Sequence, residues 1–299
     1  MSKSRDNGDT FEYSVVYYLR LHRIKSNNEY TTAKTEKILK KYDSQKISIR
    51  QRITQTKSID RAFRFIFGNS KIPKSYELMK DRNSKKTTAD IIIYLVNDSR
   101  EIHISCKHNS YSLKHQRPSN LLNQMDATKS EQKKYKKEYD SLISAYYVKF
   151  DNKGYTQFRE ILKKQKNRMY KNVNKLVCKY VNKAKKLYQQ AWIRFLLGIN
   201  TDEDSSDEDV EIIRYTLLSK KKGGIKLMSL NKMIVTNIDA EVKDNRILVD
   251  LLDDENYIQG TLNLRIHNAS SSITKNLSLK YDTTWELGSI PDLYEMHNF

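Results

Sequence analysis

The segment ADIIIYLVNDSREIHISCKHN, residues 89–109, constrains the fold of this chain more than any other. Two apolar runs of strand length flank the polar sequence NDSR, a pattern that predicts an antiparallel β-hairpin. The expected cross-strand pairs, with Asp98 and Ser99 at the centre of the turn, are Val96 with Glu101, Tyr94 with His103, Ile92 with Ser105, and Asp90 with Lys107.

The two faces of this hairpin differ in polarity. Successive side chains on a strand point to opposite faces, so one face carries only apolar residues and a cysteine: Ile91, Ile93, Leu95, Ile102, Ile104 and Cys106. The polar side chains, from Asp90 to Lys107, lie on the other face. Such segregation is typical of a sheet with one face packed on a core, and a one-residue change of register would destroy it.

The open end of the hairpin brings a carboxylate and an ammonium group together. As a plain surface ion pair, Asp90 and Lys107 would contribute less than about 1 kcal/mol. The alternative is a magnesium site, because Mg²⁺ is usually held by one or two carboxylates together with phosphate and water. In that interpretation Asp90 and the backbone carbonyl of Cys106 bind the metal. Lys107 then orients the water that attacks a phosphodiester.

A second acidic ligand is expected two residues before the lysine, where this chain has Ser105. A hydroxyl is a poor magnesium ligand, so another acid is needed. Glu12, on the helix predicted for residues 8–24, is the first candidate. The alternative for Glu12 is that it only complements the positive end of the helix dipole. Glu101 lies too far along the strand, and Glu131 is a remote candidate.

The net charge favours a polyanionic partner. The 299 residues include 55 Lys and Arg against 36 Asp and Glu, a formal net charge of +19. So large an excess destabilises a compact chain by self-repulsion, which nucleic acid would offset; a general drift of composition toward lysine is the alternative. Two cysteines without a CxxC pair favour a reducing cytosol. No apolar run reaches the roughly 20 residues of a membrane span, so no membrane partner is expected.

The chain divides into four parts by composition and periodicity. The predicted parts are a nuclease-core segment with the hairpin (1–126), a basic helical region (127–200), an acidic linker (201–211) and a β-rich part (212–299). The acidic run is expected to be solvated, with an internal mimic of phosphate charge as the alternative. The predicted fold is α/β, a mixed β-sheet flanked by helices, with a basic helical insertion and a β-rich C-terminal part that contributes to a DNA-binding cleft.

Several motifs resemble a known nuclease family. Asp90 followed by ISCK resembles the P-D…(D/E)-x-K nuclease core, with Ala89 in place of the proline and Ser105 in place of the second acid. The longer string ISCKHNSYSLKHQRPSN, residues 104–120, is similar to the block of HaeIII-type restriction endonucleases in which S-x-K-H-N precedes K-H-x-R-x-S. The opening NGDTFEY and the later NLRIHNASSSI and LKYD are also similar to that family.

The resemblance implies a type II restriction endonuclease on a restriction-endonuclease-like core. Such an enzyme uses Mg²⁺ to cut both strands of unmodified double-stranded DNA at a short palindrome, GGCC for the namesake. It implies a prokaryotic cytoplasmic protein whose companion DNA methyltransferase acts on the same site without binding the nuclease. Asp90 would be the metal carboxylate, Lys107 the catalytic lysine and Glu12 the helix glutamate, while Ser105 matches the family block. A palindromic target favours a homodimer.

The loop after the catalytic strand offers candidates for DNA contacts. Its cationic side chains suit phosphates and its amides suit base edges. The candidates are Asn109, Lys114, His115, Gln116 and Arg117. The alternative is a solvated basic loop.

The strand-like sequence LNLRIHNASSSI offers a second set of candidates. Alternate side chains share a face, and Arg265 on the polar face suits guanine in the major groove. His267, Asn268 and Ser270 follow it, and the alternative is a polar outer strand face with a serine turn. The basic helices of residues 129–194 are expected to give non-specific affinity only.

Two other functions stay open. A non-catalytic binding protein for DNA or RNA explains the charge but gives no reason for Asp90 and Lys107 to coincide. A repair or structure-specific nuclease on the same core differs in its substrate. It would cut branched or nicked DNA selectively, whereas a restriction enzyme yields discrete fragments from intact duplex.

Overall fold

The computed structural model describes residues 3–44, 49–68, 71–79, 89–108, 115–197, 212–219, 225–230, 235–286 and 294–298. The chain forms two compact units, each assembled from separate segments. Unit 1 comprises residues 1–111, 202–233 and 292–299, and unit 2 comprises residues 112–201 and 234–291. Unit 2 is therefore made of two insertions into the sequence of unit 1.

Unit 1 contains a seven-stranded mixed sheet covered by helices. The helices are α1 (Lys3–Leu21), α2 (Glu29–Ser44) and α3 (Ile49–Phe67). The strands are β1 (Lys25–Ser26), β2 (Pro73–Leu78), β3 (Ile91–Leu95), β4 (Asp98–His108), β6 (Ile212–Ser219), β7 (Ile225–Leu230) and β12 (Tyr294–Asn298). They lie in the order β1-β2-β3-β4-β6-β7-β12, and the pairs β1–β2 and β4–β6 are parallel.

The core of unit 1 lies between one face of this sheet and the helices. Phe11, Val15 and Leu19 recur every fourth residue on α1 and therefore lie on one face of that helix. They belong to the same buried cluster as Ile102 and Ile104 of β4, and all five side chains are inaccessible to solvent. Burying one such side chain contributes roughly 1.5–3 kcal/mol relative to leaving it exposed. The apolar face predicted for the hairpin is thus the core face.

Unit 2 combines a five-stranded antiparallel sheet with helices. Its strands, in the order β5-β11-β10-β9-β8, are β5 (His115–Gln116), β8 (Asn237–Lys243), β9 (Arg246–Leu252), β10 (Ile258–Asn268) and β11 (Leu279–Trp285). Its helices are α4 (Leu121–Gln124), preceded by a 3₁₀ turn at Pro118–Asn120, α5 (Lys129–Asp151), α6 (Lys163–Asn182) and α7 (Lys186–Leu197).

Helices α5 and α6 form an antiparallel pair. Glu138 in the first half of α5 binds Lys179 near the end of α6, with 2.8 Å between Oε2 and Nζ. Eight residues later on α5, the Tyr146 hydroxyl accepts a hydrogen bond from Asn172, which lies seven residues earlier on α6. The inner face of α6 packs on β8 and β9 of the sheet.

The mixed α/β class is confirmed, and the predicted basic helical region contains α5, α6 and α7. The predicted β-rich part is divided: β6, β7 and β12 complete the sheet of unit 1, whereas β8 to β11 belong to unit 2. Periodicity identifies strands but not their partners, which is why four consecutive parts were predicted. The acidic run 201–211 lies outside the described residues. None of the helices in the described ranges has the length and apolar composition that crossing a membrane requires.

Candidate active site

The β3–β4 hairpin is shifted by two residues from the predicted register. Tyr94 lies opposite Glu101 rather than His103. The chain turns at Val96 and Asn97, and Asn97 has a φ of 54°. Asparagine tolerates this left-handed conformation better than most residues, which places the tight turn there. Because the shift is an even number of residues, every side chain keeps its predicted face.

The shift places Asp90 beside Ser105 and Cys106, so the predicted direct pairing of Asp90 with Lys107 is wrong. The backbone N–H of Cys106 donates a hydrogen bond to Oδ2 of Asp90 at 2.6 Å, and the Ser105 hydroxyl lies 3.4 Å from the same oxygen. The backbone N–H of Asp90 donates to the carbonyl of Ile104 at 2.8 Å. Both the side chain and the backbone of Asp90 are therefore held against β4.

The carbonyl of Cys106 points to the same side of β4 as Asp90. The N–H and C=O groups of one residue in an antiparallel ladder are directed at the same neighbouring strand. Since the Cys106 N–H bonds Asp90, its carbonyl faces that side too. Within the described residues, Oδ1 of Asp90 accepts no hydrogen bond. These two oxygens are the pair that the sequence predicted as metal ligands.

The charges of Glu12 and Lys107 both affect the thiol of Cys106 on β4. The Cys106 side chain packs against the unit 1 core, on the side of the sheet that α1 covers. Burial raises the pKa of its thiol, the charges of Asp90 and Glu12 raise this pKa further, and Lys107 lowers it. Electrostatic effects decay with distance, so all three charged groups are near enough to influence Cys106, and Asp90 is in direct contact with its backbone. Each of their side chains is half-buried.

Two other acids have different roles. The Glu101 carboxylate lies 2.9 Å from Nε2 of His103, a side chain that is only 2% exposed. Glu131 forms a capping box with Thr128 at the start of α5. Hydrogen bonds from Thr128 lower the pKa of Glu131. Glu101 thus supports a buried imidazole, and Glu131 stabilises a helix terminus.

The predicted role of Gln116 as a base-reading residue does not agree with its position. The side chain is 2% exposed, and its Oε1 accepts a hydrogen bond from the indole of Trp192 at 3.1 Å. It would have to leave the interior of unit 2 to reach a base. Arg117 is exposed and donates to the Ser278 hydroxyl at 2.9 Å. For His115 only the backbone, in β5, is described.

Asn109 and Lys114 lie outside the described residues. Asn268 and Ser270 form a local turn, because the Asn268 amide donates to the carbonyl of Ser270 at 2.6 Å. The Ser270 hydroxyl in turn accepts the backbone N–H of Ser272 at 3.2 Å. The turn organises the end of β10, and the DNA-contact role of these residues stays a prediction.

The outer face of the unit 2 sheet presents Arg265 as predicted. Its side chain is 72% exposed, and its guanidinium lies 3.8 Å from Oδ2 of Asp282 on the neighbouring strand. The imidazole of His267 approaches the same oxygen at 3.1 Å. Asp282 therefore lies between two predicted DNA-contacting side chains. The sequence analysis did not identify Asp282 as part of this site. Asp282 is the aspartate of the LKYD segment, and the β10–β11 register places it directly opposite Arg265.

The described residues contain no cluster of three or more His, Cys, Asp or Glu side chains arranged to hold a metal ion. The candidate ligands near Cys106 are thus two carboxylates, of Asp90 and Glu12, and one backbone carbonyl. Comparison of the chain with protein family models, with curated proteins and with solved structures gives no match.

Proposed function

We propose that the chain is a magnesium-dependent endonuclease that cuts both strands of unmodified duplex DNA at a short palindrome. Its core would be of the P-D…(D/E)-x-K type, and its nearest functional class would be the HaeIII-type restriction endonucleases. The observation that carries the proposal is the 2.6 Å hydrogen bond from the Cys106 N–H to Asp90. It holds the acid that precedes β3 against the segment that ends in Lys107, so the two halves of the motif lie together.

The oxygen atoms near Cys106 fit a magnesium ion. Oδ1 of Asp90, the Cys106 carbonyl and the Glu12 carboxylate are all hard oxygen donors, the kind that Mg²⁺ prefers. Two carboxylates leave room for waters and a substrate phosphate, as is usual for this ion. When bound there, magnesium would supply a Lewis acid that lowers the pKa of a water molecule and offsets charge on the phosphate.

The protein groups have distinct tasks in this proposal. The Cys106 N–H fixes one orientation of the Asp90 carboxylate before substrate binds, which avoids an ordering cost during the reaction. Lys107 shares a sheet face with Asp90 and Ser105 by strand alternation. Its ammonium group orients the attacking water and favours the deprotonated form of that water electrostatically. Ser105 adds no charge, so Glu12 supplies the second carboxylate.

The proposed partners follow from this chemistry. The substrate is double-stranded DNA with a palindromic, GGCC-like site, and a homodimer would match the two-fold symmetry of such a site. A methyltransferase that modifies the same site would protect the DNA of a prokaryotic host, in whose cytoplasm the nuclease would act. Arg265, exposed on the outer face of the unit 2 sheet, is the proposed reader of guanine.

The decisive experiment is digestion of unmethylated phage DNA with magnesium or with EDTA. We expect discrete fragments with magnesium alone, and sequencing of their ends gives the target. Asp90→Asn and Lys107→Gln should each lower the cleavage rate at least about 10²-fold and keep DNA binding, and Glu12→Gln should lower it as well. Asp98→Asn and Lys74→Gln, exposed or half-buried polar changes outside the cluster, serve as matched controls and should cleave normally.

Each alternative function has its own signature in this experiment. Retarded but uncut DNA in both conditions would leave a basic nucleic-acid-binding protein without nuclease activity. Selective cutting of branched or nicked DNA would identify a structure-specific nuclease. Full activity of Asp90→Asn or Lys107→Gln would refute the assignment of the site even if the wild-type protein cleaves.

A further inference from the structure

Helix α6 carries an unusual surface. Its 20 residues, KKQKNRMYKNVNKLVCKYVN, contain seven Lys or Arg and no Asp or Glu. Five of the cations recur three or four residues apart, so they share one side of the helix, and all five are exposed. We call this set the α6 stripe: Lys164, Arg168, Lys171, Lys175 and Lys179.

The opposite side of α6 is firmly packed. Val173, Val177 and Val181 are fully buried, and α6 contacts β8, β9 and β10 of the unit 2 sheet. Asn174, also fully buried, accepts a hydrogen bond from the Tyr281 hydroxyl at 2.7 Å. The stripe is therefore displayed by a helix whose position and rotation are fixed by the sheet below.

The stripe violates the usual rules for a stable helix. Like charges four residues apart repel each other, and lysines in the first turn oppose the helix dipole. Lys163, Lys164 and Lys166 lie in or next to that first turn, and the N-cap Leu162 makes no side-chain cap. Within the described residues, Lys179 is the one member of the stripe with a carboxylate partner, Glu138. Natural sequences break such rules mainly at functional sites.

An open groove of about 570 Å³ runs beside the stripe between α5 and α6. Lys137 of α5 lines it together with Lys175 and Lys179 of α6. Its other polar groups are Ser141, Asn172 and Glu138, whose carboxylate is bonded to Lys179. Residues 129–197 as a whole contain 19 Lys and Arg against five Asp and Glu. The cations of the two helices therefore act together on whatever lies along the groove.

We propose that the α6 stripe, with Lys137, binds the phosphate backbone of duplex DNA. From Lys164 to Lys179 the helix rises about 22 Å, the length of roughly six or seven base pairs at 3.4 Å each. Cations one turn apart can neutralise successive phosphates along such a duplex. This contact carries no sequence information. It lies on the side of unit 2 opposite Arg265, because α6 packs on the inner face of the sheet, so it adds non-specific affinity and does not place the bases that Arg265 would read.

The aromatic residues of α6 favour a duplex over a single strand. Proteins that bind single strands stack bases on exposed aromatic rings. Tyr170 is only 8% exposed, and the hydroxyl of Tyr180 is bonded to Glu138 at 2.6 Å. The half-buried ring of Tyr180 already lies under the Lys179 ammonium, 5.2 Å from Nζ to the ring centroid, so it is paired with a cation and not left open for a base. The choice of DNA over RNA rests on the proposed function, whereas the choice of a duplex does not.

The test is the salt dependence of binding to a labelled DNA duplex, measured by fluorescence anisotropy in EDTA so that no cleavage is needed. The double variant Lys171→Gln/Lys175→Gln should reduce the slope of log K against log salt by about 1.8, since each lost phosphate contact removes about 0.9. Lys57→Gln/Arg61→Gln, a pair of exposed cations with the same spacing on α3, is the matched control and should keep the wild-type slope.

Every outcome bears on the proposal. An unchanged slope in the α6 variant would overturn it, as would tighter binding of a single strand than of the duplex. Equal or tighter binding of double-stranded RNA, with the same loss of slope, would overturn the choice of DNA. The α6 variant should melt at the wild-type temperature or above, because it removes repulsion, and Lys171→Arg/Lys175→Arg should retain the slope. Because binding is measured in EDTA, where no magnesium is free to support cleavage, the slope of the α6 variant tests this surface separately from the catalytic assignment.

Discussion

Replacing Ser105 by aspartate distinguishes a metal site from a surface ion pair. The side chain is 3% exposed, and its hydroxyl lies 3.4 Å from Oδ2 of Asp90. Ser105→Asp therefore puts a second carboxylate against the first in a place that water reaches poorly. The variant also restores the acid that the P-D…(D/E)-x-K motif has at this position. It should be unstable without a cation and regain stability with magnesium.

The size of the effect follows from the distance. Two unit charges about 4 Å apart repel by about 4 kcal/mol at an effective dielectric constant of 20. At 2–4 °C per kcal/mol, the melting temperature should fall by roughly 8–16 °C at neutral pH. Magnesium at about 100 times its dissociation constant should restore about 2.7 kcal/mol. The penalty should also shrink as the pH falls, because one carboxylate of the pair then binds a proton.

The assay is thermal unfolding with magnesium, compared with sodium chloride at matched ionic strength. Ser105→Asn introduces a side chain of nearly the same shape as aspartate but without its charge. This variant should melt at the same temperature in both salts. Combining Ser105→Asp with Asp90→Asn removes the repulsion and should remove the magnesium dependence. If Ser105→Asp gains no stability from magnesium beyond that from sodium chloride, the proposed metal site between Asp90 and Cys106 is refuted.

The remaining predictions concern Gln116, Arg265 and Asp98. Gln116→Leu should lower the free energy of unfolding by about 1–3 kcal/mol in denaturant titrations, because the buried Trp192 indole loses its acceptor, and should leave the digest pattern unchanged. Arg265→Gln should weaken binding to the cleaved site by about 1–3 kcal/mol relative to a shuffled duplex, measured by anisotropy in EDTA. Hydrogen bonds from Arg100 lower the pKa of Asp98 from 3.8 to about 2. Asp98 therefore stabilises the fold above pH 4 and loses this effect as the pH falls toward 2; Asp98→Asn should melt with less pH dependence across that window.

The faces of the β3–β4 hairpin were predictable, but its register was not. Alternation alone separates Ile102 and Ile104 from His103 and Ser105. All four side chains are buried, but only the two isoleucines belong to the apolar core of unit 1, whereas His103 and Ser105 lie beside the carboxylates of Glu101 and Asp90. The register depends on which residues form the turn, and the chain turns at Val96 and Asn97 instead of at the predicted Asp98 and Ser99. A two-residue shift leaves the apolar pattern intact, so the pattern cannot detect it.

Contacts between segments that are distant in the chain could not be predicted from the sequence pattern. β4 pairs in parallel with β6, some 110 residues further along the chain, and nothing in either strand specifies the other. The same limit applies to Gln116, which looks like a polar loop residue until Trp192 of α7 is packed over it. The helix predicted for residues 8–24 depends only on local spacing, and α1 (Lys3–Leu21) contains most of that range.

The pairing of β4 with β6 determines when, during synthesis, the sheet around the proposed site can be completed. Lys107 leaves the ribosome long before its neighbour in the sheet, Leu218. At about 5–20 residues per second, the intervening chain takes roughly 5–20 s to be made. During that interval β4 is an open edge of the sheet from Glu101 to His108, where β6 will later pair. A nascent chain of the proposed nuclease would therefore lack a complete sheet around its site until synthesis is well past β6, and the delay is set by the order of the strands alone.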